Sequence, residues 1–220
     1  MTLTRPRMTF IALSLTLLTL AIAAIIAGTI VAQDKTSLKD ALEAKDGDAT
    51  VVATVDGTDV TRGDIRRAVE FKMAIDSSLT IENARSQIIV QVIDRAIAGA
   101  EIDRRRITVS DEEADAYMHR NRDLCLGENG GQCREAIKQL GFDVSDDSYW
   151  SDIALPEYKR MIAETKLFQA VIEEKSLQDA DNDTLFAAQQ ALPNKLRANA
   201  DIVWHDDDLK EVYQQALPSE

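Results

Sequence analysis

The fold of this chain is decided by the stretch VVATVDGTDVTRGDIRRAVEF (51–71), an apolar helix after it, and the segment AEIDRRRITVSDEEADAY (100–117). Its β-branched start predicts a strand over residues 51–55. Asp56-Gly57 predicts a tight turn directly after it, because these residue types accept the positive φ angles that such a turn needs. The segment therefore opens with a short strand and a turn, and helical periodicity follows.

Capping residues mark the helices of this segment. Thr61 is placed to cap a helix that runs to about Ile75, and Ser110 with Glu113 has the spacing of a capping box for a third helix. Between them, residues 81–104 form a second helix whose apolar face is too broad for a surface helix. That face consists of Ile88, Ile89, Val92, Ile93, Ala96, Ile97 and Ala100. We expect this helix at the centre of the domain.

The rest of the chain also has helical periodicity. The third helix is predicted to turn Ala114, Tyr117, Met118, Leu124 and Cys125 inward. A short helix ends at Gly141, and another, near Pro156, runs to about Lys175. A last long helix over 182–198 is predicted to be interrupted at Pro193, and Ile202–Trp204 reads as a strand.

Two stretches resemble the N-terminal chaperone domain of the SurA/PrsA family of exported protein-folding factors. They are the strand-turn Val55–Thr61 and the segment Arg106–Glu113, which reads RITVSDEE. The resemblance implies a mainly α fold, a SurA N-domain-like helical bundle over residues 51–204. It also implies a small two-stranded β element in which Ile202–Trp204 pairs with Val51–Val55 and joins the domain ends. Residues 205–220 are then an acidic tail or a short helix.

The same resemblance implies a function. Family members hold unfolded exported polypeptides in a groove between helices without using ATP. Many also have a parvulin prolyl-isomerase domain before the closing helix, but residues 174–182 leave no room for one here. The expected function is therefore that of a holdase without the isomerase. An interaction or regulatory protein that uses the same fold for one specific partner is the alternative, and an enzyme comes third.

The N-terminus predicts a membrane location. Residues Phe10–Ala32 contain no charge and follow Arg5 and Arg7, which fits a single span with the basic end in the cytoplasm. A cleaved signal peptide is the alternative, although the apolar run exceeds the usual length and lacks a clean cleavage site. Residues 33–50 are a polar stalk. Everything after them is expected outside the cytoplasm of a bacterial cell, anchored or, after cleavage, secreted.

The net negative charge of the chain disfavours some classes of binding partner. Residues 33–220 hold all 38 acidic residues but only 23 of the 25 basic ones, which gives them a net charge of −15. A surface this acidic argues against nucleic acid and against anionic lipid headgroups as ligands. Solubility alone is the simpler reason for the charge.

The two cysteines, Cys125 and Cys133, flank a glycine-rich loop. In an oxidising compartment they are expected to form a structural disulfide that stabilises the fold by about 2.5 kcal/mol. A zinc site would need more ligands than His119 adds, and a redox pair usually has two residues between its cysteines. Two free thiols remain the alternative in a cell without oxidative folding.

No motif predicts catalysis, a metal or a cofactor. His205 before Asp206-Asp207-Asp208 resembles a metal site, but aspartates at a helix start are more simply caps. Asp179, Asp181 and Asp183 imitate the opening of a calcium loop that lacks its glycine and its glutamate.

Polypeptide binding needs exposed apolar side chains that tolerate many sequences. The candidates are Phe71, Met73, Met118, Tyr149, Trp150 and Tyr158. Most of these are equally explained as core residues, since aromatic and Met side chains at helical spacing usually face inward. Phe71 and Met73 cannot both share the inner face of their helix, so one of them is expected to be exposed.

Overall fold

The computed structural model describes residues 48–76 and 78–217, which are mainly helical with one small antiparallel sheet. The mainly α prediction is thereby confirmed. The strands are β1 (Val51–Val55), β2 (Thr58–Thr61) and β3 (Ile202–Trp204). The helices are α1 (Arg62–Ile75), α2 (Ile81–Arg104), α3 (Asp111–Leu126), α4 (Gly131–Gln139), α5 (Leu155–Glu174), α6 (Asn182–Arg197) and α7 (Asp207–Ala216), and a π-helical turn (Tyr149–Ala154) leads into α5.

The sheet has three strands in the order β2-β1-β3, so the prediction of two strands was wrong. Asp56 and Gly57 have φ angles of 47° and 87°, and this two-residue turn folds β2 back onto β1. The sequence interpretation missed β2 because it took Thr58–Thr61 as the lead-in to α1. The predicted pairing of the domain ends is confirmed, since β3 lies antiparallel to β1 with Val203 opposite Thr54.

The predicted helix caps are largely present. Thr61 accepts a hydrogen bond from the Asp64 amide, and Asp64 accepts one from the Thr61 amide, which completes a capping box. Ser110 caps α3 through the Glu113 amide, as predicted. The carboxylate of Glu113 instead accepts from Lys166 Nζ at 2.6 Å, so an ion pair to α5 replaces the second half of that capping box.

α2 is the centre of the main hydrophobic core, as the sequence predicted. Its buried isoleucines pack against the sheet, α1 and α7. Leu209 and Tyr213 of α7 belong to this core, so the packed region continues beyond Trp204. Asp206 caps α7 through the Leu209 amide, as expected for an aspartate at that position.

A second core lies among α3, α4, the π-helical turn and the start of α5. It contains Met118, Cys125, Ile137, Phe142, Trp150 and Ala154. Cys125 and Cys133 are joined by a disulfide with their Cα atoms 5.3 Å apart, in agreement with the sequence prediction. The α3–α4 loop thus sits directly on this core.

Two details of the helices differ from expectation. Leu124 is 62% exposed, because it lies about 100° around α3 from Cys125, whose side chain faces the core. α6 runs unbroken through Pro193. A proline there removes one backbone hydrogen bond, and since α6 buries none of its residues, water can solvate the carbonyl that loses its partner.

No helix within the described residues is long and apolar enough to span a bilayer. The predicted span, Phe10–Ala32, and most of the predicted stalk lie outside those residues.

α5 joins the two cores. It packs against α2, α3 and α6. Lys159 pairs with Asp111 at the start of α3, and Arg105 at the end of α2 pairs with Glu174 at the end of α5. The last turns of α2, α5 and α6 are consequently held close together.

Candidate functional site

A cleft with a volume of about 770 Å³ lies where these three helix ends meet. Volumes of roughly 300–1,000 Å³ are usual for clefts that bind ligands. Asp56 of the hairpin turn and Thr58 of β2 also line it. The cleft is open to solvent and brings together segments that lie far apart in the sequence.

The apolar residues that line the cleft, which we call its floor, follow from helical periodicity. α2 presents Ile97 and Ala100 one turn apart, and α6 presents Leu192 and Leu196 one turn apart. Val171 of α5 and Ala200 after α6 complete the floor.

An ion-paired cluster forms one side of the rim. The carboxylate of Glu101 accepts from Arg104 at 2.7 Å and from Arg105 at 2.5 Å, while Arg105 also donates to Glu174 at 2.5 Å. Partial burial raises the pKa of Glu101, but the hydrogen bonds from Arg105 and Arg104 outweigh it and leave that pKa below its usual value. A hydrogen bond from Arg105 similarly lowers the pKa of Glu174. The positive charge of Lys195 lowers the same pKa more weakly. Arg104 and Arg105 are therefore largely neutralised by neighbouring carboxylates.

Three further carboxylates lie in or beside the cleft. Asp56 accepts a hydrogen bond from the Asp201 amide at 3.0 Å, which places these two aspartates side by side at the turn. Asp103, near the end of α2, also lines the cleft. Within residues 48–76 and 78–217, no lysine or arginine pairs with any of these three carboxylates.

α6 is the least buried wall of the cleft. None of its residues is buried, and Phe186 near its start is 63% exposed. Its other end is fixed by Arg197, which donates to both carboxylate oxygens of Asp94 on α2 at 2.6 and 2.5 Å. A bidentate pair of this kind defines geometry well, so α6 is held mainly at its C-terminal end.

Four of the six residues proposed from the sequence belong to the second core instead of a surface. Trp150 is 2% exposed and donates from Nε1 to the Val144 carbonyl at 2.7 Å, and Met118 is 7% exposed. Tyr149 and Tyr158 pack against that core, and burial raises the pKa of both phenols. The core interpretation of these four side chains therefore agrees with the structure.

Phe71 and Met73 lie on α1, away from the cleft. Met73 packs against the main core, whereas Phe71 is half-buried and belongs to neither core. Both side chains are partly buried, so the expectation that one of them is exposed was wrong.

The sequence analysis did not identify the cleft residues. Ile97 and Ala100 were assigned to the core face of α2, and Leu192 and Leu196 bracket the proline that suggested a broken helix. The pair Leu192 and Leu196, at helical spacing on an otherwise polar helix, was the signal that could have indicated a partner surface.

The histidine and aspartate groups singled out from the sequence do not assemble a metal site. His205 Nε2 lies 3.0 Å from the Thr54 hydroxyl, which in turn donates to Asp59 across the sheet. Asp181 caps α6 through the Thr184 amide. Among the described residues, no three potential ligands from His, Cys, Asp and Glu converge on one point.

Compared with protein-family models, with curated proteins and with solved structures, the chain matches none of them.

Proposed function

We propose that this protein is an extracytoplasmic chaperone of the holdase kind, which binds unfolded or newly exported polypeptides without ATP. The observation that carries the proposal is the open cleft of about 770 Å³ with an apolar floor and a charged rim. Apolar side chains of an unfolded segment gain free energy when they leave water, and the polar rim keeps the empty cleft soluble. Residues Phe10–Ala32 are proposed to tether the protein to the cytoplasmic membrane, where exported chains emerge.

The low burial of α6 and its attachment mainly at one end support the binding of polypeptides with many different sequences. A wall that buries none of its own residues and is fixed mainly at one end can adjust at low cost. Sites that accept varied ligands commonly use such adaptable surfaces. The apolar contacts of α6 with a bound segment would replace contacts with water instead of breaking packed core.

The order of elements supports a SurA/PrsA-type origin for this fold. Two strands joined by a turn, a capped helix, a long central helix and a second capped helix follow one another, and the last strand returns to the first. Only residues 175–181 separate α5 from α6, which supports a holdase that lacks the isomerase module. We propose accordingly that the protein holds chains and does not isomerise them.

Aggregation during refolding tests the proposal. The fragment 33–220 is added to several unrelated denatured proteins as they are diluted from denaturant, and light scattering is recorded against an inert acidic protein. We expect suppression of scattering for every client at near-stoichiometric amounts. Failure with all clients would contradict the holdase function, and activity toward one protein alone would favour the single-partner alternative.

A matched pair of α6 variants assigns the activity to the cleft. Leu192→Glu places a charge on the apolar floor, whereas Ala191→Glu adds the same charge at the neighbouring exposed position outside the cleft. Neither residue is buried, so both variants are expected to fold. Leu192→Glu should abolish most of the suppression and Ala191→Glu should retain it; equal behaviour of the two would place the activity elsewhere.

A further inference from the structure

We infer that the cleft prefers polypeptide segments in which a lysine or arginine stands next to an apolar residue. This inference rests on the proposed function, because it names the class of segment that the same cleft takes. It is carried by a difference between the charges at the cleft: two of its three cations are in ion pairs, whereas the carboxylates of Asp56 and Asp103 are in none among the described residues.

Two of the three cations that line the cleft already have carboxylate partners. Arg104 and Arg105 donate to Glu101, and Arg105 also donates to Glu174. Lys195 stabilises the charged form of Glu174 only weakly and forms no ion pair among the described residues. An acidic ligand group would have to compete with these carboxylates for Arg104 and Arg105.

The carboxylates of Asp56, Asp103 and Asp201, by contrast, have no ion-pair partner among the described residues. Asp56 and Asp103 line the cleft, and Asp201 adjoins Asp56. A basic side chain that reaches Asp56 or Asp103 would therefore meet a carboxylate without displacing an existing ion pair.

The helix ends add to the same preference. The last turns of α2, α5 and α6 all line the cleft, and the C-terminal end of a helix has a partial negative charge that favours cations. The last turns of α2 and α6 contain Arg104, Lys195 and Arg197, whereas the last turn of α5 contains no basic residue, so the effect is greatest at α5. The acidic surface as a whole would also speed the approach of basic segments.

The cleft offers apolar and acidic side chains together. Leu192 and Leu196 are only partly buried and offer apolar contact, and Asp56 and Asp103 line the same cleft. An apolar side chain on the floor leaves a neighbouring lysine or arginine within reach of the turn. Hydrophobic burial then supplies affinity, and the rim charge supplies selectivity.

Three labelled peptides of equal length test the inference. They share the same leucine and phenylalanine positions and differ only in the flanking residues, which are lysine, glutamine or glutamate. Binding to the full-length chain in lipid nanodiscs is measured by fluorescence anisotropy at low and high salt. The lysine peptide is expected to bind about fivefold tighter than the glutamate peptide at low salt, with the difference shrinking as salt rises.

Two double variants test whether Asp56 and Asp103 cause the preference for the lysine peptide. Asp56→Asn with Asp103→Asn removes rim charge while Asn keeps the positive φ of the turn and an acceptor for the Asp201 amide. Asp115→Asn with Asp123→Asn makes the same charge change on α3, away from the cleft. The first pair should bring the lysine and glutamate peptides to within about twofold of each other, and the second should leave their ratio unchanged.

The outcomes separate the inference from the function beneath it. Tight binding of all three peptides with equal affinity, or preference for the glutamate peptide, would overturn the inference and leave polypeptide binding standing. Equal loss of selectivity in both double variants would overturn the assignment to this rim. No binding of any peptide would overturn the inference together with the proposed function.

Discussion

Gly130 shows how a single residue determines the geometry around the disulfide. A Cβ atom built there would overlap the Cys125 carbonyl, whereas one built on Gly131 would have only Arg134 Nη2 nearby, at 4.0 Å. The same carbonyl accepts a hydrogen bond from Arg134 Nη1 at 2.6 Å, so the end of α3 is fixed by contact as well as by the disulfide.

Gly130→Ala is therefore expected to destabilise the fold by about 2–4 kcal/mol, because backbone must move to relieve the overlap. Gly131→Ala is the matched control and should change stability by less than about 1 kcal/mol. Urea unfolding of fragment 33–220, followed by fluorescence of Trp150 and Trp204, measures both. Equal stability of the two variants would show that this close approach does not exist.

Asp64 gives a prediction about pH. Partial burial raises its carboxyl pKa, but hydrogen bonds from Thr61 and from Arg67 outweigh that effect and leave the pKa below its ordinary value. A lowered pKa means that the charged carboxylate stabilises the folded state above the ordinary aspartate range, and that this stabilisation is lost as the pH falls through the lowered pKa.

Asp64→Asn should therefore cost about 1 kcal/mol at neutral pH, and the difference from wild type should shrink as the pH falls below the ordinary aspartate range and through the lowered pKa. Urea midpoints measured across this range check the prediction. A difference between the two proteins that stays constant with pH would mean that the negative charge of Asp64 contributes nothing to capping α1.

Local rules explain which single residues could be predicted. The Asp56-Gly57 turn, the Thr61 and Asp206 caps and the cysteine pair depend on neighbours within a few positions, so their chemistry is readable from the sequence. Leu124 was misplaced because its helix phase relative to the core depends on where α3 packs. The six proposed binding residues share this difficulty, since residue type alone does not separate a core aromatic from a binding one.

The ion pair between Arg197 and Asp94 fixes the position of helix α6, because α6 buries none of its own residues. The side chains of Arg197 and Asp94 are 17% and 26% exposed, and the pair is bidentate. Asp94→Asn weakens the pair, and we expect a loss of about 1–2 kcal/mol with faster amide exchange concentrated in α6.

Hydrogen-exchange mass spectrometry of fragment 33–220 measures this effect. Glu70→Gln, which alters an exposed pair with Arg66 at 3.9 Å, is the control and should change little. If exchange in Asp94→Asn increased equally across α1 and α3, the pair would be a general support of the fold instead of the attachment of α6.

The sequence predicted secondary structure correctly where apolar residues recur at helical spacing over many residues. The bounds of α2 and the ends of α1 and α5 follow from caps and apolar spacing. β2 has four residues and lies between a turn and a capping threonine, which is too short for alternation to stand out. The continuity of α6 through Pro193 was not predictable, because it depends on how exposed that side of the helix is.

In the complete fold, two hydrophobic cores meet along α5, and the cleft forms beside that junction. The sequence predicted the helical class and the return of the last strand to the first. It did not predict the cleft, because Asp56, Ile97, Val171 and Leu192 approach one another only through tertiary packing. The candidate site was thus recognisable only after the three helix ends were placed together.

Crosslinking from the floor of the cleft tests whether unfolded chains bind there. A photoreactive benzophenone amino acid is placed at position 192 or, as the control, at position 191 of the full-length chain in nanodiscs, and each protein is irradiated with several unrelated unfolded clients. We expect crosslinks to every unfolded client from position 192 and few from position 191, with native clients giving none. Equal crosslinking from both positions, or none from position 192, would contradict the assignment of polypeptide binding to this cleft.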